Sequence, residues 1–327
     1  MLGHLKSRLS ESSLTVQKSN YDDVTRIEQG QHHAMQIAFH IGANCTDEDR
    51  LIKSLLKNAD VFLKEQIAVP GPGRYRKLIR ETIAALKGAK PADDTRNILL
   101  DTIVENDNIG RVVLSNGNFI CIPPRIFDHG LLYSQAGPKA RALRQLFPKD
   151  DITLFMGIRN PATFLQETFL RSNAKTIDEY LGIMRATEIQ WSDMIRRIRE
   201  DAPDVALTVW CNEDAPLLWE QIMREISGVN PDTPIVGGLD MLATIISRDG
   251  MQLLHTKLQS QPPQSAADMH EMIAEIWETH ALDDQVEDEI NQPELDPALL
   301  EQMTEMYDAD VAKIASMEGV KLLLPFD

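Results

Sequence analysis

Short apolar runs alternate with amphipathic stretches along the first two thirds of the chain. The runs have the length of buried strands and are bounded by turn residues; they lie at 36–41, 67–69, 111–115, 152–158 and 205–210. Apolar positions at helical spacing follow or separate them, at about 50–63, 74–87, 91–105, 137–147, 161–171, 176–200 and 216–227. Strands that alternate with helices form βαβ units, so the pattern predicts an α/β fold with a mainly parallel sheet flanked by helices.

The pattern changes near residue 237, beyond which helices without strands are predicted. We therefore expect a loose polar arm at 1–35, an α/β domain at 36–236 and an acidic helical extension at 237–327, packed on that domain. Residues 261–327 hold 17 Asp and Glu against 2 Lys and Arg, or −15 of the net charge of −17. This surface is either a solvated acidic face or a docking surface for a basic protein partner. The apolar tail at 320–324 is a candidate edge strand.

Composition excludes several classes of protein. The 327 residues are 43% hydrophobic and 25% charged, which is typical of a globular chain with a sizeable core. The negative net charge opposes binding to nucleic acid or to an anionic membrane surface. Three scattered cysteines do not form a disulfide framework, and neither a secretory h-region nor an 18-residue apolar run is present. We expect a soluble cytoplasmic protein.

The segment after the first strand lies where a phosphate-binding loop would lie in an open parallel sheet. It reads His40-Ile41-Gly42-Ala43-Asn44-Cys45-Thr46-Asp47-Glu48-Asp49-Arg50-Leu51, with Asn44 or Thr46 as the expected N-cap of the next helix. It lacks the Gly-Lys-Ser/Thr of a Walker A motif, and it is not a Gly-x-Gly-x-x-Gly turn. NTPase and dinucleotide-dehydrogenase functions therefore lose their main support.

The same segment resembles the first motif of bacterial sulfotransferase-like proteins, which have a strand followed by His-Ile-Gly-x-x-Lys-Thr-Gly-Thr-Thr. Four further segments are similar to that family and occur in its order: Gln66–Pro70, Leu114-Ser115-Asn116, Ile158-Arg159-Asn160-Pro161, and Val209-Trp210-Cys211 followed by Asn212-Glu213-Asp214. The resemblance covers about 36–228. It implies a sulfotransferase-like fold of the P-loop type.

The resemblance also implies a donor, 3′-phosphoadenosine 5′-phosphosulfate. In the family, the loop and its lysine hold the phosphosulfate, an arginine and a serine hold the 3′-phosphate, and an acidic residue or histidine accepts the proton. The positions that this resemblance assigns to the donor are Gly42, Ala43, Asn44, Cys45, Thr46, Ser115, Arg159 and Thr168. His129 is the candidate base, and Arg50 is the candidate cation in place of the lysine.

The chain departs from the family at the positions that carry charge. Cys45 stands at the lysine position, Asp47 replaces the loop glycine, and Glu48 and Asp49 replace two threonines. The residue eight positions after Arg159 is Glu167 rather than serine, with Thr168 adjacent. At an effective dielectric constant of about 20, each carboxylate about 4 Å from the anionic donor would cost about 4 kcal/mol before screening. First-turn carboxylates can instead cap helix amides.

Two hypotheses for function remain open. The chain is either a non-catalytic or strongly divergent relative with a degenerate donor loop, or an active sulfotransferase that transfers a sulfuryl group to a hydroxyl or amine. Other interpretations of single residues also stay open. His129, after Asp128, is either a catalytic base or part of a surface loop, and Cys45 is either a nucleophile or an inert thiol. The carboxylates of Asp47–Asp49 either bind magnesium or cap the helix. The pair His32-His33 is either a metal site or a solvated pair.

Overall fold

Six parallel strands form one sheet in the computed structural model, which describes residues 34–106, 108–282 and 295–325. The strands have the spatial order β2-β3-β1-β4-β5-β6. Their bounds are β1 Gln36–His40, β2 Ile67–Ala68, β3 Arg111–Ser115, β4 Asp151–Ile158, β5 Ala206–Cys211 and β6 Val320–Leu323. The predicted α/β class with a parallel sheet is confirmed.

Helices flank this sheet along the chain. Their bounds are α1 Arg50–Leu56, α2 Ala59–Lys64, α3 Arg76–Leu86, α4 Thr95–Ile103, α5 Ala136–Leu146, α6 Pro161–Leu170, α7 Ile177–Leu181, α8 Trp191–Asp201, α9 Ala215–Ser227, α10 Arg248–Ser260, α11 Ala266–His280 and α12 Pro297–Ala315. None of the helices in the described ranges is both long and apolar enough to cross a membrane.

Strand β1 lies at the centre of the sheet, between β3 and β4. His40, its last residue, is in register with Ser115 on β3 and Phe155 on β4. Successive side chains of β1 point to opposite faces, so Phe39 belongs to one apolar cluster and Ala38 to another. Burial on both faces explains why this strand is a continuous apolar run rather than an alternating one.

The helix predicted directly after β1 is two short helices, and its expected N-caps are wrong. Helix α1 begins at Arg50, after Asp49 in the left-handed conformation. The Asn44 carboxamide donates to Asn118 Oδ1 over 2.8 Å, and the Thr46 hydroxyl donates to the carbonyl of Ala43 over 2.8 Å. Both side chains are therefore used inside the loop, and neither caps the helix.

The continuous helix predicted for 176–200 is also wrong. Helix α7 ends at Leu181, where Gly182 adopts φ +63°, and α8 begins only at Trp191. Tyr180 packs edge-on against Phe127, with ring centroids 5.0 Å apart, whereas Trp191 packs against Phe164 at 4.9 Å. The two anchors lie against different parts of the core, and the chain bends between them.

The last part of the chain joins the α/β body at two places. On α12, Met303, Tyr307 and Ile314 are buried in the same cluster as Phe39. Strand β6 then pairs in parallel with β5, which confirms the predicted edge strand. Helices α10 and α11 contribute to a separate small apolar cluster. The predicted arm at 1–35 and the pair His32-His33 fall almost wholly outside the described residues.

Candidate functional site

The loop at 41–49 leaves the carboxyl end of β1 at a switch point of the sheet. The connection after β1 leads towards β2 on one side, and the connection after β4 leads towards β5 on the other. Crevices of this kind hold ligands in open α/β sheets. The loop at 41–49 therefore lies at the edge of such a crevice.

Gly42 lets the loop start close to its neighbours. Its φ is +115°, and a Cβ there would lie 3.1 Å from the carbonyl oxygen of Gly117. The Gly42 carbonyl accepts the amide of Gly157, and the Ala43 amide donates to the Gly157 carbonyl, both over 2.8 Å. The first loop amide is therefore committed to β4 and is not offered to a ligand.

Asn44 is held by a buried tyrosine. The amide of Asn44 donates to the Tyr133 hydroxyl over 3.0 Å, and that hydroxyl donates to Asn44 Oδ1 over 2.8 Å. Burial raises the pKa of Tyr133 well above its usual value, so the phenol stays protonated and can donate. Within the described chain, the next three amides, those of Cys45, Thr46 and Asp47, donate no hydrogen bond.

Arg159 joins the end of β4 to this loop. Its Nη1 donates to the carbonyl of Cys45 over 2.9 Å, and its Nε donates to Thr163 Oγ1 over 3.0 Å. The indole of Trp191 donates to the Arg159 carbonyl over 2.8 Å. The structure therefore brings Arg159 to the loop, where the side chain is bonded to the protein backbone.

The three loop carboxylates have three different partners. Asp47 Oδ2 accepts the amide of Leu51 over 3.1 Å, which caps the first turn of α1. Glu48 pairs with Arg171, directly after α6. Asp49 binds Arg76, the first residue of α3, through both carboxylate oxygens at 2.6 and 2.9 Å.

Sequence reasoning missed Arg76 and Arg171. No local motif marks either residue, and only the fold brings them to Asp49 and Glu48. The hydrogen bonds from Arg76 lower the pKa of Asp49, so this carboxylate remains ionised. The Nε of Arg76 also donates to the carbonyl of Ser115 over 2.9 Å, which fixes the guanidinium between the loop and β3.

Cys45 stands where the motif that this loop resembles has a lysine, and its thiol supplies no positive charge. Arg171 Nη1 lies 3.0 Å from Cys45 Sγ. Burial nevertheless raises the pKa of the thiol to about 11, so the neutral form predominates at pH 7. A neutral thiol is a poor nucleophile, which argues against the nucleophilic role considered for Cys45.

Ser115 and His40 form a buried pair beneath the loop. The Ser115 hydroxyl and His40 Nδ1 are 2.9 Å apart, and both residues are almost completely buried. The imidazole stacks on Trp210 with ring centroids 5.8 Å apart, and its Nε2 has no hydrogen-bond partner among the described residues. Burial lowers the pKa of His40, so the ring is neutral at pH 7.

Arg50 and Thr168 are placed differently from the other candidates. Arg50 Nη1 contacts the sulfur of Met241 at 3.8 Å. Thr168 is fully buried, and its hydroxyl donates to the carbonyl of Phe164 over 2.8 Å. Neither side chain is hydrogen-bonded to the loop at 41–49 within the described ranges. Three arginine side chains are instead hydrogen-bonded to the loop, those of Arg159, Arg76 and Arg171.

His129 lies in a cleft of about 520 Å³ at the segments that follow β3 and α6. Phe127 and Tyr180 form its aromatic wall, and Asp128 accepts a hydrogen bond from Arg125 over 2.7 Å. His129 has φ +63° and is exposed at the cleft. No group of three or more His, Cys, Asp or Glu among the described residues could hold a metal ion.

Comparisons with known proteins give one weak structural match. No protein-family model and no curated protein matches the chain. The sulfotransferase domain from the Synechococcus PCC 7002 olefin synthase aligns with 77% of this chain and 98% of its own length, at 14% identity and a TM-score of 0.31. The six-stranded parallel sheet defines the fold class.

Proposed function

We propose that the chain is a sulfotransferase-like protein whose donor loop is closed, and hence a non-catalytic or strongly divergent relative. The carrying observation is that the loop and its neighbours use the groups that a donor would need. Arg159 Nη1 is bonded to the carbonyl of Cys45, and the amides of Ala43 and Asn44 donate to Gly157 and Tyr133. The family motif at 40–42 and at 158–161 supports the family assignment.

The absence of a positive charge at Cys45, where the resembled motif has a lysine, also supports this proposal. Sulfuryl transfer resembles phosphoryl transfer, because both depend on positioning the donor and on stabilising the charge of the leaving group. A neutral Cys45 thiol supplies no positive charge there, and the pKa of about 11 keeps it neutral throughout the physiological range. Glu48 and Asp49 also add two negative charges within the same loop.

The alternative is an active sulfotransferase that uses 3′-phosphoadenosine 5′-phosphosulfate and acts on a hydroxyl or amine. The observation that favours it is the cleft of about 520 Å³ with His129 at its surface. In that case Arg159 would exchange the carbonyl of Cys45 for the 3′-phosphate, and His129 would accept the proton of the acceptor.

Titration with adenosine 3′,5′-bisphosphate separates the two functions. We expect neither saturable heat in calorimetry nor a rise in Tm with the full chain. A dissociation constant of about 1 μM or tighter, near −8 kcal/mol, would overturn the closed-loop proposal and favour the enzyme. The Arg159→Met variant tests where the nucleotide binds. It should abolish binding if the nucleotide occupies the crevice at the loop 41–49.

We also propose that the acidic surface of α12 docks a basic protein. Glu301, Glu305 and Asp308 are exposed on this helix, whereas Met303 and Tyr307 are buried. Binding through such a face should weaken steeply with salt, because exposed charges are screened within about 8–10 Å. The triple variant E301Q/E305Q/D308N should lose a partner that the full chain binds at low salt. Retention of that partner by the variant would contradict docking on this face.

A further inference from the structure

Two arginines reach the loop at 41–49 from opposite sides and are both occupied by carboxylates of that loop. Arg76 comes from the start of α3 and binds Asp49 through both of its terminal nitrogens. Arg171 comes from the end of α6 and binds Glu48, with Glu167 as a further contact at 3.5 Å. Planar guanidinium groups bind carboxylates in the same two-point geometry that they use for phosphate and sulfate oxygens.

Three residues of the loop, including both residues that bind these arginines, have an unfavourable backbone conformation. Cys45, Glu48 and Asp49 have φ values of 60°, 51° and 62°, in the left-handed region that residues other than glycine rarely adopt. Conformations of this kind persist where surrounding contacts impose them. The pairs Arg171–Glu48 and Arg76–Asp49 are cross-links that can impose them, because they tie successive loop residues to two different helices.

The interior of the loop offers further donors. The amides of Cys45, Thr46 and Asp47 donate no hydrogen bond within the described residues, and Thr46 and Asp47 are buried. Successive free amides in a turn with left-handed residues form an anion-binding concavity. The two arginines and the loop amides thus lie close together, and the carboxylates of Glu48 and Asp49 are the anions that the arginines bind.

We propose that Glu48 and Asp49 form an autoinhibitory latch, which occupies Arg171 and Arg76 and so excludes a divalent oxyanion from the loop. The ligand class is a sulfate or phosphate group, free or carried by a nucleotide. The inference rests on the proposed function, since it explains why the loop is closed. It adds that, beside the backbone bonds and Arg159, the carboxylates of Glu48 and Asp49 keep an oxyanion out by occupying Arg171 and Arg76.

The test removes the negative charges of Glu48 and Asp49 and replaces them with neutral side chains of nearly the same shape. The variant E48Q/D49N keeps hydrogen-bonding side chains, and the control E188Q/D204N removes the same charge from two exposed carboxylates paired with Arg185 and Arg144. Inorganic sulfate and adenosine 3′,5′-bisphosphate are the probes, at constant ionic strength. We expect the latch variant to bind at least about tenfold more tightly than the full natural chain, and the control to match that chain.

The outcomes distinguish the latch from the proposed function. Equal affinity of the latch variant and the natural chain, or an equal gain in the control, would overturn the latch and leave the closed-loop function standing. Micromolar binding by the natural chain would instead overturn the closed-loop function. Circular dichroism checks folding, and the single variants E48Q and D49N replace the double variant if it unfolds. Each single variant must then show part of the gain, and the absence of any gain in both overturns the latch.

Discussion

Arg159 Nη1 donates a hydrogen bond to the carbonyl of Cys45 over 2.9 Å, and so connects the end of β4 to the loop after β1. The two residues are 114 positions apart in the chain. This contact closes the crevice between two neighbouring strands with an atom of the protein. The hydrogen bond also stabilises the folded protein when no ligand is bound.

Replacing Arg159 with methionine should therefore destabilise the protein. The variant loses the bonds to Cys45 and Thr163 but keeps the unbranched side-chain stem. We expect the free energy of unfolding to fall by about 1.5–3 kcal/mol, the range for a hydrogen bond that involves a charged group. Urea unfolding measures this change. Arg185→Met, at an exposed ion pair, is the control and should change stability by less than about 0.5 kcal/mol.

Introducing the lysine and glycine of the motif that this loop resembles should raise the affinity of the protein for the nucleotide. In C45K/D47G, a lysine replaces the neutral thiol and one carboxylate is removed, so we expect affinity for adenosine 3′,5′-bisphosphate to rise by about tenfold or more. The same variant should lose about 1 kcal/mol of stability, because Asp47 no longer caps the amide of Leu51.

The variant C45A/D47G is the matched control for this gain, since it lacks the amino group. Isothermal titration calorimetry compares the two variants under the same conditions. If C45K/D47G gains no affinity over C45A/D47G, descent of this loop from a donor site is contradicted.

Stability should depend on pH through His40. Burial lowers its folded pKa below the ordinary value of 6.5, so the unfolded chain binds a proton near pH 6.5 that the folded chain does not bind. Stability should consequently fall as the pH drops through 6.5 towards the lower folded pKa, by at most about 1.4 kcal/mol per pH unit for this group. Above pH 7 the contribution of this residue is constant.

Urea unfolding at a series of pH values between 5.5 and 7.5 measures this effect. The variant His40→Asn should show a smaller slope than the natural chain over this range. Identical slopes for His40→Asn and the natural chain would contradict the assignment of a neutral, buried imidazole.

Deletion of residues 296–327 should unfold or precipitate the protein. The deletion removes β6 from the edge of the sheet and the buried side chains of Met303, Tyr307 and Ile314 from the core. It also removes the hydroxyl that Tyr307 donates to Glu213 over 3.0 Å. Solubility and circular dichroism measure the result. A soluble, folded product would contradict this prediction, and a folded product that has also lost a partner would indicate docking.

The sequence predicts the sheet well because parallel strands are buried on both faces. Such strands are continuous apolar runs, and the run 152–158 corresponds to β4 with an error of one residue. The break after Leu181 could not be predicted, because helical periodicity continues through 176–200 while the separate burial of Tyr180 and Trp191 bends the chain.

The candidate site was only partly predictable for a related reason. The position of Arg159 beside the loop follows from strand order, which sequence patterns imply. The partners of Glu48 and Asp49 do not follow, since Arg171 and Arg76 come from helices that only tertiary packing brings to the loop. The left-handed backbone at Glu48 and Asp49 has no sequence signal either, because neither residue is glycine.

The position of β6 has a consequence for how the protein is made. Strand β5 ends at Cys211, but the strand that covers its edge begins at Val320, about 110 residues later. At synthesis rates of about 5–20 residues per second, the nascent chain carries an unpaired β5 edge for roughly 5–20 seconds. Exposed edges recruit other strands. Until Val320 has been synthesised, the β5 edge is therefore open to pairing with strands of other chains.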